Sequence, residues 1–219
     1  MLFDLRGRRR RLVQGVYLAL AILMGGGLVL FGIGGDVSGG LFDAFSDRSG
    51  GSGNDVVEER IDRNEKRVQA SPQDKAALKA LVRDNYSLAV SQQDANATTF
   101  PADAKADLRR AAAFWQRYLE AESGRPDASL ASVALRVYDA GALGQPKDAA
   151  RAMQIIAGSS NDFQSYLQLV QYAALAKDER TADLAAQKAV DLAPKNLKKD
   201  VKMQANQLMK AAEQQQAAG

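Results

Sequence analysis

Residues 127–160, DASLASVALRVYDAGALGQPKDAARAMQIIAGSS, and 161–194, NDFQSYLQLVQYAALAKDERTADLAAQKAVDLAP, are consecutive segments of equal length that share one layout. Each opens on a helix-length apolar run, passes a short break and continues into an alanine-rich second helix. Leu135 recurs as Leu169 and Tyr138 as Tyr172, with a period of 34, at matching places in the first helices. In the second helices Ala149, Met153 and Ile156 answer Ala182, Ala186 and Ala189 at a spacing of 33, so the second copy is one residue short. Apolar residues that recur every three or four positions argue for helix. No segment alternates with period two, so no strand is expected.

The same periodicity extends outward in both directions. Asn54 or Asp55 caps an expected helix carrying Val57, Ile61 and Val68, which stops at Ser71-Pro72 because the residue before proline disfavours helical geometry. A second helix is expected over 73–90, with Leu78, Leu81, Val82, Tyr86 and Ala89 as its stripe, and Ser91 to Pro101 reads as a loop. A third, over 102–122, carries Leu108, Ala111, Ala112, Trp115, Tyr118 and Leu119 and ends at Gly124-Arg125-Pro126. The repeating part then predicts helices over 127–143, 146–157, 161–176 and 179–192, with Pro146 near a helix start and Gly158-Ser159-Ser160 between the pairs. A last helix over 196–214 shows Val201, Ala205, Leu208, Met209 and Ala212 on one face, and its tail from Gln214 to Gly219 is expected to fray. The segment 68–74 resembles 190–196, and the interval from Pro72 to Pro126 exceeds one period by an insertion around the 91–101 loop.

A helix-turn-helix period of 34, with small residues in the second helix and proline at its end, resembles the tetratricopeptide repeat. Tyr166, Leu169, Ala182, Ala186, Ala189 and Pro194 fall on that family's signature positions, and Leu135, Ala149, Met153 and Ile156 match in the copy before. Arg136 and Val170 replace the usual glycine, and the earlier copy lacks the leading aromatic and the closing proline. The resemblance covers residues 55–194 and implies an all-α solenoid of about three helix pairs, capped by the helix within 195–219. It also implies a groove lined by the first helix of each pair. Gln164, Gln168 and Gln171 form one polar stripe of such a helix, opposite Phe163, Tyr166, Leu167 and Val170. The corresponding positions one repeat earlier are the apolar Leu130, Ala134 and Val137, either buried between neighbours or lining an apolar binding groove.

The N-terminal end sets the address. Arg6, Arg8, Arg9, Arg10 and Arg11, within residues 1–11, precede a charge-free run that supplies a span over 12–33. A bilayer core needs roughly 20 apolar residues as a helix. The run is longer than the apolar part of a cleaved signal peptide, and no A-x-A-like site follows it. An uncleaved signal anchor is therefore expected, with the arginines held in the cytoplasm of a bacterium and the helical domain across the inner membrane. Residues 34–54 read as a flexible Gly/Ser linker, interrupted by Leu41, Phe42, Ala44 and Phe45.

Charge and composition narrow the function. The net charge of +3 comes from the start of the chain: residues 1–11 hold five Arg and one Asp, and the remainder has 24 basic and 25 acidic residues. A near-neutral domain without a basic stripe argues against nucleic-acid binding. With no histidine and no cysteine, the usual general base, thiol nucleophile and zinc ligands are missing. Neither an enzyme nor a cofactor or metal site is expected. The expected role is a membrane-tethered scaffold that binds another protein or peptide, in envelope assembly or protein export. The alternative is a structural homo-oligomer assembled through the transmembrane helix and the repeat faces.

Overall fold

The computed structural model describes residues 53–94 and 97–217. Eight helices make up the regular structure of the described residues, with no strand among them. They are α1 (Gly53–Ala70), α2 (Lys75–Ser91), α3 (Ala102–Ala121), α4 (Ala128–Tyr138), α5 (Pro146–Ser160), α6 (Phe163–Leu175), α7 (Glu179–Leu192) and α8 (Lys198–Ala217). The arginine cluster, the apolar run 12–33 and all but the last residues of the 34–54 linker lie outside the described residues. No helix among the described residues is long and apolar enough to cross a membrane.

Aspartate starts the helices. Asp74, Asp127, Asp162 and Asp178 are the N-caps of α2, α4, α6 and α7, and each carboxylate accepts from backbone N–H groups of the first turn. Such a cap satisfies donors that have no partner inside the helix and contributes about 1 kcal/mol. Asp162 and Asp178 also accept from the hydroxyls of Ser165 and Thr181, each at 2.7 Å.

Three boundaries differ from the sequence expectation by three residues or more, each for a local reason. Helix α4 stops at Tyr138, not 143, because a turn over 139–145 receives the 97–100 loop. Phe100 N–H donates to Gly141 O at 3.2 Å, and Gly144 sits at φ +63°. A Cβ on Gly141 would lie 2.4 Å from the Thr98 carbonyl oxygen, so only glycine fits this approach. Helix α5 runs through Gly158-Ser159-Ser160, the expected separator, and ends at Asn161 in the left-handed conformation (φ 49°). Asparagine tolerates that region better than most residues. Helix α8 continues to Ala217 where fraying was expected. Gln216 Nε2 donates to Ala174 O at 2.8 Å and Leu175 O at 3.3 Å, tying the tail of α8 to the carbonyl end of α6.

Each helix packs on its neighbour in sequence, and α2 also meets α4, as α6 meets α8. Helices α4 and α6 have no backbone approach of this kind. The interior accordingly forms two apolar clusters. One runs from Ile61 on α1 to Ala149 and Ala152 on α5, around Leu78, Leu108, Trp115 and Leu130. The other joins Met153 and Ala157 of α5 to Leu167 and Val170 on α6, Ala189 on α7 and Val201 on α8. Leu135, Ile156 and Tyr172 touch both. Alanine supplies much of the interior, which lets helix axes approach closely. One buried polar group stands out: Asn85 on α2 is fully enclosed. Its Nδ2 donates to Leu81 O at 2.8 Å, while Oδ1 finds no partner among the described residues.

A polar junction fixes α4 on α2 and α3. Lys79 Nζ donates to Asp127 Oδ2 at 2.9 Å, and Arg83 lies 3.9 Å from the same oxygen. Tyr118 Oη accepts from Asp127 N–H at 2.9 Å, and the Tyr118 ring stacks on Trp115 with centroids 5.5 Å apart. Lys75 holds Glu122 at 2.9 Å beside it. Burial pushes the Asp127 carboxyl up. The hydrogen bonds from Lys79, Ser129 and the Leu130 N–H outweigh it and bring the pKa down to about 2.

A carboxyl with a depressed folded pKa stabilises above its unfolded value, here 3.8, and loses that contribution as pH falls toward about 2. Discounted for solvent screening, the contribution is about 1–2 kcal/mol. Asp127→Ala is expected to lower stability by about 2 kcal/mol at neutral pH. Urea unfolding from pH 5 to pH 2 is expected to show a shallower acid loss in the variant than in the parent. Parallel curves would contradict this assignment.

Candidate protein-interaction surface

Two sets of residues stood out in the sequence as a groove, and the structure separates them. Leu130, Ala134 and Val137 are at most 1 % exposed and belong to the first apolar cluster. Of the two readings offered for them, burial between neighbours describes them, and they line no open groove. The cause is their helix: α4 is enclosed by α2, α3 and α5. Gln164, Gln168 and Gln171 are all exposed. Helix α6 buries Leu167, Leu169, Val170 and Ala173 against α5, α7 and α8, and no helix among the described residues covers its glutamine side. Equal spacing along the chain therefore does not mean equal environment here.

Beside the glutamine stripe, side chains bridge α4 and α6. Tyr172 reaches the first cluster from α6. Burial raises its phenol pKa, and the charge of Asp139, just past the end of α4, raises it further. Phe163 and Tyr166 are half-buried in the second cluster.

The sequence did not signal the most open apolar surface, at the α7–α8 end. A cleft of about 360 Å³ runs between these helices. Ala186 and Val190 of α7 and Ala205 and Met209 of α8 form its apolar floor. Asp183, Gln187 and Asp191 follow each other at four-residue steps along the α7 rim, and Lys202 and Asn206 stand on the α8 rim. Leu184 on α7 and Met203 on α8 are each 55 % exposed, and Leu197 in the turn between these helices is also exposed. The other large hydrophobic residues this exposed among the described residues are Val56 and Val90. Exposure at 184 and 203 could not be read from periodicity, because it depends on whether a further helix covers α8.

A second cleft, of about 450 Å³, lies among α1, α2 and α3 over Ile61 and Leu88. Its carboxylates are partly engaged: Asp107 accepts from Gln92 at 2.7 Å and lies 3.8 Å from Arg110. Among the described residues no acidic group of three or more is arranged to hold a metal ion. No family model, no curated protein and no solved structure matches the chain.

The different burial of two positions one period apart is directly measurable. Val137→Gln is expected to cost about 2–4 kcal/mol, since it puts an amide into a sealed core. Gln171→Val is expected to change stability by less than about 0.5 kcal/mol. Equal costs in denaturant unfolding would contradict the placement of α4 and α6.

Proposed function

We propose that this protein is a membrane-tethered adaptor. Its tetratricopeptide-like helical domain is held on the extracytoplasmic side of a bacterial inner membrane and binds another protein. The observation that carries the reading is the α7–α8 end, where an apolar-floored cleft opens between two helices that also expose Leu184 and Met203. Exposed apolar patches rimmed by polar residues mark interaction surfaces. The repeat reading is supported by burial at five of the ten signature positions: Ala149, Met153, Leu169, Ala182 and Ala189 are all at most 3 % exposed. The tether rests on the five arginines before the 12–33 apolar run, whose charge asymmetry favours a cytoplasmic start. An adaptor also suits a chain without histidine or cysteine, because binding draws on apolar area and rim polarity and not on a reactive side chain.

In-cell photo-crosslinking from positions 171 and 203 of the full chain tests this. A reproducible adduct with one other protein from position 203 is the expected result. Adducts only with further copies of this chain would replace the adaptor by a homo-oligomer. Labelling of either position by a membrane-impermeant reagent in intact spheroplasts is expected as well, and protection from it would overturn the topology.

A further inference from the structure

We infer that the α7–α8 cleft receives one amphipathic helix of a partner protein, with an apolar stripe between a basic flank and an acidic flank; this rests on the adaptor reading above. Two observations lead there. First, the cleft is helix-shaped: its α7 wall steps from Asp183 to Asp191, about 12 Å of helix. Its floor residues recur at four-residue spacing on both walls, the pattern into which the ridge of another helix packs.

Second, the rims carry opposite charge that the chain itself leaves unused. Asp183 and Asp191 stand on α7, Lys202 on α8, and Lys199 and Lys210 continue along the outer side of α8. None of these five takes part in an ion pair among the described residues. A helix lying between the rims would meet carboxylates with one flank and ammonium groups with the other. A uniformly acidic or uniformly basic helix would be repelled along one side.

Turning a helix end for end exchanges its flanks, so the two-signed rims also select one direction for the partner. Charge at such rims sets specificity and orientation more than total affinity.

The test uses the full chain and three helix-stapled peptides of about 14 residues, roughly four turns. They share one Ala/Leu stripe and differ in their flanks: Lys on one and Glu on the other, Lys on both, or Glu on both. Fluorescence anisotropy is expected to show the two-signed peptide binding about tenfold tighter than either one-signed peptide. Asp183→Lys/Asp191→Lys, at exposed positions and checked for unchanged helix content, is expected to switch the preference to the all-Glu peptide. Equal binding of the three, or no binding, overturns the inference. So does self-association of the full chain in sedimentation that this variant abolishes, since a second copy would then be the occupant. If position 203 crosslinks to another protein while the peptides fail to discriminate, the adaptor reading stands and this inference falls. If the peptides discriminate but no such adduct forms, the adaptor reading falls and the chemistry of the cleft stands.

Discussion

Helix α5 belongs to two cores at once, and the arrangement of the described helices follows from that. Its first half gives Ala149 and Ala152 to the cluster built on α1–α4, and its second half gives Met153 and Ala157 to the cluster built on α6–α8. Close packing makes each cluster a unit that tolerates little change. Between them there is only α5 itself and the side chains of Leu135, Ile156 and Tyr172. Helices α2, α3 and α4 all touch one another, as do α6, α7 and α8, while α4 and α6 stay apart. That gap leaves Gln164, Gln168 and Gln171 in solvent.

Polar groups then fix the angles that apolar packing leaves free. Asp127 caps α4, binds Lys79 of α2 and, through its backbone, meets Tyr118 of α3, so three helices converge on one residue. On the other side of α5, Gln216 of α8 closes the carbonyl end of α6. These contacts add little energy singly, yet each is satisfied only in one relative placement of its helices. On α7 and α8, Ala182, Ala189 and Val201 are buried, and the charged residues between them are left on the rims of the cleft.

Much of the helix layout was legible in the sequence, because a 3.6-residue period punctuated by Pro72, Pro101, Pro126 and Pro146 has few other readings. What could not be read depends on contacts distant in sequence. The early end of α4 needs the Thr98–Phe100 segment to arrive beside Gly141, with the whole of α3 and α4 lying between them in the chain. The unbroken run of α5 through Gly158 depends on Asn161 taking a left-handed conformation. The stripe of α2 was read through Tyr86, which is half-buried, and not through Leu88 and Asn85, which are buried. Asparagine in a sealed core gives no apolar signal. The aspartate caps are visible as Asp-x-x-Ser and Asp-x-x-Thr at 162 and 178. The repeat period correctly related chain positions, but it carries no information on which helices surround them, and so it paired the buried Val137 with the exposed Gln171.

The two-core arrangement is tested most directly by native-state hydrogen exchange on the full chain and on Leu167→Ala. Leu167 lies in the second cluster alone, and its truncation should cost about 3 kcal/mol there. The predicted result is a loss of protection of that size in α6, α7 and α8, with the amides of α2, α3 and α4 little changed, as expected for units that open separately. An equal loss across all of these helices would mean one cooperative core, and would contradict the account of α5 as the bridge between two.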